Sequence, residues 1–279
     1  MEHEYRIDGR SFPVSIDEAS FLQWGAPEIL SERFRGLADP MAWRESGYAV
    51  LAAKGFYDID KVYAATSEAV RRIILEIKGE ADLSAFRLER YHDFVTGPEH
   101  AQIIARTRRL FPADLGFDVG AVVEAFGQYL GTRLGFRNPV TGAEQWMIAR
   151  INRPGSQDYN PVHKDIYESY DRFGRIARMI NVWIPVCGVQ GGSGLPVAPG
   201  SHRIPEDRVL RTRTGGMMNG LQYSVNCIAE WDGLRELETI NPGREEFLIF
   251  SSHLIHGLAR NANRDETRVS FEFRLYEQD

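Results

Sequence analysis

From Glu144 onward the chain alternates apolar and polar positions in short runs rich in β-branched and aromatic residues, separated by clusters of Gly, Pro, Asn and Ser. That texture predicts strands joined by tight turns. The expected strands are 145–153, 163–168, 177–186, 194–198, 222–229, 246–251, 254–259 and 267–276. Ahead of them the period changes. Residues 15 to about 135 read mainly as helix, with apolar residues at helical spacing across Ile59 to Lys78, Glu99 to Phe111 and Val119 to Leu134. Asp58 and Asp60 are candidate caps for the first helix. The expected fold is therefore mainly β with a helical N-terminal half. Residues 1–143 form the helical support, and residues 144–279 form a strand core that closes as a jelly-roll sandwich or barrel. No repeat, low-complexity segment or long linker divides the chain, so one domain over 1–279 is expected.

The strand period makes the first chemical statement. In Asn160-Pro161-Val162-His163-Lys164-Asp165, an extended chain puts His163 and Asp165 on one face and turns Lys164 away. One imidazole and one carboxylate then point at a common centre. His256 follows the apolar strand Phe247-Leu248-Ile249-Phe250 and is the candidate for a third ligand. Two histidines and a carboxylate on one side of a metal leave the opposite positions open, the geometry of non-haem iron oxygenases. His253 is the rival, but on an extended strand it faces opposite to His256, and Gly257 allows close approach beside His256. His3, His92, His100 and His202 fall in tail, helix or turn contexts and are assigned ordinary polar roles.

Past His256 comes Arg268-Val269-Ser270-Phe271-Glu272-Phe273-Arg274-Leu275-Tyr276, a near-unbroken alternation. Val269, Phe271, Phe273 and Leu275 form a face to be buried against the helices. Arg268 and Ser270 share the other, where a guanidinium fork beside a hydroxyl suits a carboxylate.

Composition narrows the partners. Lys and Arg number 33 against 39 Asp and Glu, a net charge of −6, which repels polyanions and makes nucleic acid an unexpected partner. Two cysteines, Cys187 and Cys227, argue against a disulfide framework and suit a reducing compartment. Met1 to Arg10 is charged, and no stretch approaches the roughly 18 apolar residues of a membrane span. A soluble, cytoplasmic protein without a membrane partner is expected.

Taken in chain order, several motifs resemble the 2-oxoglutarate oxygenase superfamily, and within it the phytanoyl-CoA dioxygenase-like branch. They are Ile151-Asn152-Arg153-Pro154, His163-Lys164-Asp165, Trp183, the run from Gly194 to His202, His256-Gly257, Asn261 and Arg268-x-Ser270. The resemblance covers residues 145 to 276. It implies a double-stranded β-helix, jelly-roll or cupin-like in form, flanked by α-helices. It implies iron(II) on His163, Asp165 and His256, with 2-oxoglutarate chelating that iron and dioxygen as second co-substrate. It places Trp183 in the 2-oxoglutarate pocket. Asn181 shares a face with Trp183, and Arg150 shares one with Asn152. Asn181 and Asn152 therefore join Arg268 and Ser270 as candidate contacts of the oxo acid.

The implied reaction is hydroxylation of a small-molecule metabolite with release of succinate and carbon dioxide. The carboxylate of Asp165 stands against halogenation, whose enzymes carry a small residue in its place. Residues before Glu144 match the family only in outline, so the substrate is not readable. Arg203, Arg208, Arg211 and Arg213 are candidates for a basic lid over an acidic compound, or for a solvated loop. Two further readings of the same residues are a zinc or manganese hydrolase or isomerase on a cupin-like barrel, and a non-enzymatic jelly-roll binding module.

Overall fold

Three helices form where the apolar spacing places them, and each begins at a side-chain cap. The first, α1 (Ile59–Lys78), begins at Asp58, whose carboxylate accepts from the Asp60 and Lys61 N–H groups at 3.0 and 3.3 Å. The second, α2 (Gly97–Thr107), opens on a reciprocal capping box between Thr96 and Glu99. The third, α3 (Val119–Leu130), starts at Asp118 and ends where Gly131 takes a left-handed φ of 69°, a conformation that costs glycine nothing and so stops the helix short of Leu134. The computed structural model describes residues 1–17, 20–26, 36–116, 118–144, 147–156, 159–168 and 176–278.

The helical N-terminal half is not observed. Among the described residues α-helices occupy only the stretch from 59 to 130, and four strands precede them: β1 (Glu2–Ile7), β2 (Arg10–Ser15), β3 (Leu22–Trp24) and β4 (Tyr48–Ala52). The reason is long-range pairing. The first of these lies parallel to a strand more than two hundred residues later, with Arg6 opposite Glu236, and β4 pairs residue by residue with the strand that follows Gly243, Leu51 opposite Phe247. Such partners override weak local propensity. Residues 18–19, 27–35 and 117 of the predicted helical stretch, and Gln145 and Trp146 of the predicted strand 145–153, lie outside the described residues.

The remaining strands are β5 (Leu134–Gly135), β6 (Ile148–Asn152), β7 (Met179–Cys187), β8 (Leu195–Val197), β9 (Val209–Thr212), β10 (Gly216–Met218), β11 (Leu221–Tyr223), β12 (Ile228–Trp231), β13 (Glu236–Ile240), β14 (Glu246–Ser251) and β15 (Arg268–Glu277). A six-stranded sheet runs β4-β14-β7-β15-β5, with β6 also on β15. Smaller sheets run β2-β1-β13-β8 and β12-β9-β3, and β10 and β11 form a hairpin. The molecule is thus mostly β with a few helices. Two predicted strands are replaced. Residues 163–168 make a single bridge at His163 and then a 3-10 turn from Asp165 to Glu168, and 254–259 make only bridges at His256, to His163 and Val197.

The period of two divides the large sheet between two environments. Ile180, Val182, Ile184 and Val186 of β7, Phe247 and Ile249 of β14, and Val269, Phe271, Phe273 and Leu275 of β15 pack against the helices in one core. Phe247 sits in a cluster of rings with Phe56 and Phe126 at centroid distances of 4.9 and 5.3 Å, and burying such a ring stabilises the helix layer by about 2–3 kcal/mol. The alternate residues face the other way. Trp183, Leu248 and Phe250 meet Leu195, Val197 and Ala259 in a smaller apolar cluster beside the polar side chains of the site. Among the described residues no helix is long and apolar enough to cross a membrane, and both cysteines are free thiols.

Candidate metal centre

His163 and His256 are brought face to face by their own backbones. Each N–H donates to the other's carbonyl, at 2.8 and 3.1 Å, and the rings lie 4.4 Å apart between centroids. The carbonyl of Pro161 lies 2.7 Å from His163 Nδ1, and that of Leu254 3.0 Å from His256 Nδ1. A carbonyl can only accept, so each Nδ1 carries the proton and each Nε2 presents a lone pair. The two lone pairs converge on Asp165. Nε2 of His163 is 3.5 Å from Oδ1, and Nε2 of His256 is 3.7 Å from Oδ2. One ligand atom from each of the three residues lies within 4.8 Å of the other two, and all three are buried.

Lone pairs aimed at a carboxylate repel it unless a cation stands between them. Burial, aided by the neighbouring His163 ring, pushes His256 down to about 4. Burial alone would raise Asp165, but the Arg274 guanidinium and the His256 ring outweigh it and hold the carboxyl far below the usual carboxylate range. Two imidazoles with their tautomers fixed from behind and an ionised carboxylate fit a divalent transition metal. The 3-10 turn, not the period of two, aims Asp165 at the histidines.

His253 lies outside this cluster. Burial, with Lys164 and His202 nearby, pushes its pKa well below the ordinary value. Lys164 turns away as the spacing predicts, and is fully buried against Glu206, with Nζ to Oε1 at 2.7 Å.

The three ligands open on a cavity of about 800 Å³. Asn181 and Trp183 line it; both ends of the Asn181 amide and the Trp183 indole N–H are buried without a protein partner among the described residues. Orphaned buried donors and acceptors cost about 1–3 kcal/mol each and mark a polar ligand's place. Arg268, Ser270 and Asn152 do not line the cavity. Arg268 is fully buried behind Trp183, its guanidinium carbon 5.2 Å from the ring centroid. Its Nε–H donates to Ser193 O and one terminal nitrogen to Asn152 Oδ1, both at 2.7 Å, while the other meets Gly194 O only at 3.5 Å. Burial lowers its pKa to about 10. Ser270 donates to Glu272 Oε1 at 3.2 Å.

The alternation along β15 continues past Ser270. Glu272 and Arg274 continue the face of Arg268 and Ser270, and both line the cavity. Arg274 hydrogen-bonds Asp165 Oδ1. Glu272 is gripped by both Nε and Nη2 of Arg150 at 2.8 Å; burial would raise its pKa, but Arg150 outweighs that and lowers it to about 2. The alternation was the signal that could have found them. Among the described residues that line the cavity, none is Arg203, Arg208, Arg211 or Arg213. Arg203 pairs with Glu45, Arg208 with Asp232 and Arg211 with buried Glu206. Gln222, Tyr223, Ser224 and Val225 line the cavity from that side instead.

No family model matches the chain, and no curated protein matches it. Among solved structures it is similar to AviO1 from Streptomyces viridochromogenes, with a TM-score of 0.47 and 14% identity over 85% of this chain and 91% of that one. It is also similar to EctD from S. alaskensis with 2-oxoglutarate and 5-hydroxyectoine, at 0.45 and 16% over 98% and 86%. A third is the epimerase SnoN in complex with Fe3+, alpha-ketoglutarate and nogalamycin RO, at 0.44 and 16% over 86% and 82%. Each likeness is weak, and the chemistry rests on the side chains.

Proposed function

We propose that this chain is a non-haem iron(II), 2-oxoglutarate-dependent oxygenase, a single double-stranded β-helix domain that hydroxylates a small-molecule metabolite. The observation that carries the reading is the pair of carbonyl-fixed imidazoles whose Nε2 lone pairs converge on Asp165 at the wall of a large cavity.

His163, Asp165 and His256 would hold iron(II), leaving further positions for ligands from the cavity. Iron(II) with 2-oxoglutarate and dioxygen supplies an oxidant that removes hydrogen from an unactivated carbon, with release of succinate and carbon dioxide. The chain's own residues do the rest. Pro161 and Leu254 keep the imidazoles in the ligating tautomer, and Arg274 holds one oxygen of Asp165. Asn181 and Trp183 offer hydrogen bonds to an oxygen-rich ligand beside the metal, and the Arg268 guanidinium, oriented by Asn152 with Ser270 beside it, would supply positive charge from behind Trp183. Leu195, Phe250 and Ala259 give the cavity an apolar wall that keeps bulk water from the reacting centre.

A rival reading, a zinc or manganese hydrolase or isomerase on the same ligands, draws on one observation: two N–H groups of Arg268 already serve Ser193 and Asn152. Anaerobic titration with iron(II) and then 2-oxoglutarate separates the two. The oxygenase shows the weak visible charge-transfer band of the chelate, and Arg268→Ala loses it. Iron bound in stoichiometric amount with no band on adding the oxo acid overturns the reading in favour of the hydrolase or isomerase.

A further inference from the structure

The three metal-centre side chains are not held in the same way. His163 and His256 fix each other through an antiparallel bridge, whereas Asp165 begins a 3-10 turn, Asp165–Glu168. The direction of its carboxylate therefore depends on what fixes that turn. Both flanks of Asp165 lead to one side chain. Lys164 Nζ donates to Glu206 Oε1 at 2.7 Å, and the Tyr167 hydroxyl donates to Glu206 Oε2 at 2.9 Å. Arg211, a candidate for the basic lid, approaches the same Oε2 at 3.4 Å and lays its guanidinium carbon 4.4 Å from the Tyr167 ring centroid. Glu206 is itself closely packed. It opens a short helical turn, Glu206–Arg208, and a Cβ on Gly25 would stand 2.4 Å from its carbonyl oxygen.

Stability gives little reason for this arrangement. Lys164 and Glu206 are both wholly buried, and exchanging a buried ion pair for apolar groups of similar volume is often neutral or stabilising. What the pair supplies is direction, since charge-assisted hydrogen bonds are short and strong. We propose that Glu206 is a positioning residue of the metal centre: its carboxylate grips the residues on either side of Asp165 and so aims Asp165 at the two histidines. The proposal rests on the metal site of the reading above and not on which reaction runs there.

The test is calorimetric titration of the full chain with zinc(II), together with the visible absorption of the cobalt(II)-loaded protein, which reports the geometry of the ligands. Glu206→Ala is expected to weaken zinc binding by about 10–100-fold, the range for loss of an outer-shell partner, and to change the cobalt(II) bands. Lys164→Met with Glu206→Leu removes the buried charges and keeps the volume. It is expected to recover urea stability relative to Glu206→Ala while leaving zinc binding weak, a split that a purely structural role does not produce. Unaltered affinity and bands in Glu206→Ala, or in the double variant, overturn the proposal; where Glu206→Ala does not fold, the double variant decides alone. If the unaltered protein itself binds no zinc(II), the metal centre falls and the proposal with it.

Discussion

Lys164 and Glu206 form an ion pair at 2.7 Å with both side chains wholly excluded from solvent, and Lys164 is the residue between two of the three metal-centre side chains. Tyr167 donates to the other oxygen of Glu206 at 2.9 Å, and Arg211 approaches the same atom at 3.4 Å while stacking over the Tyr167 ring. The segment His163-Lys164-Asp165 is therefore held from behind by charge as well as from in front by backbone pairing with His256. Removing one member of a buried pair leaves the other charge without its partner, at a cost of about 3–5 kcal/mol, whereas replacing both by apolar groups recovers much of it. Glu206→Gln should lower unfolding stability by that amount, and Lys164→Met with Glu206→Leu should lower it less. Urea unfolding of the single and double variants measures the coupling; a Glu206→Gln cost below about 1 kcal/mol would show that the pair is idle.

The two neighbouring histidines should separate cleanly. His256→Ala removes one of three converging donors and should abolish stoichiometric zinc(II) binding. His253→Ala lies outside the cluster and should keep the metal while losing about 1–3 kcal/mol of stability from the altered buried site. Metal content by mass spectrometry of the native protein decides it. Zinc retained by His256→Ala but lost by His253→Ala would reverse the assignment.

Gly257 packs directly against the backbone that supports His163. Its φ is 151°, and a Cβ there would stand 2.3 Å from Pro161 O, the carbonyl that fixes the tautomer of His163. Gly257→Ala must push that carbonyl away, so metal affinity should fall by about 10–100-fold, the range for loss of an outer-shell partner. Calorimetric titration with zinc(II) reads this directly, and unchanged affinity would show that Pro161 does not set the ring.

Glu272 gives the protein an acid-sensitive element. Its pKa falls from 4.5 to about 2 because Arg150 outweighs the cost of burial. A carboxyl with a depressed native pKa contributes stability above its unfolded value and loses it as pH falls toward the folded value. The pair should thus contribute on the order of 3 kcal/mol at neutral pH, vanishing between pH 4.5 and about 2. Glu272→Gln should show a shallower loss of urea midpoint across that window. An unchanged slope would place the acid response elsewhere.

Much of this was legible in one dimension, because it depends on local period. The spacing of apolar residues locates α1, α2 and α3, and Asp58 caps the first of them. The alternation along β15 put Val269, Phe271, Phe273 and Leu275 against the helices. The residue types of His163, Asp165 and His256 singled them out, and the structure brings them together.

What could not be read is what depends on partners far along the chain. The strands β1, β3 and β4 pair with segments far along the chain, and their own short, half-polar runs carry no strong signal. Asp165 reaches the histidines through a turn, and Arg274 meets Asp165 across 109 residues of sequence. The sequence by itself determined which side chains have metal chemistry and which faces are apolar, since both follow from side-chain type and a period of 2 or 3.6 residues. Only the tertiary structure decided that Arg274, Arg150 and Glu272 surround those ligands while Arg268 lies buried behind Trp183, because sheet register sets which distant residues share a cavity, and local pattern carries no information about register.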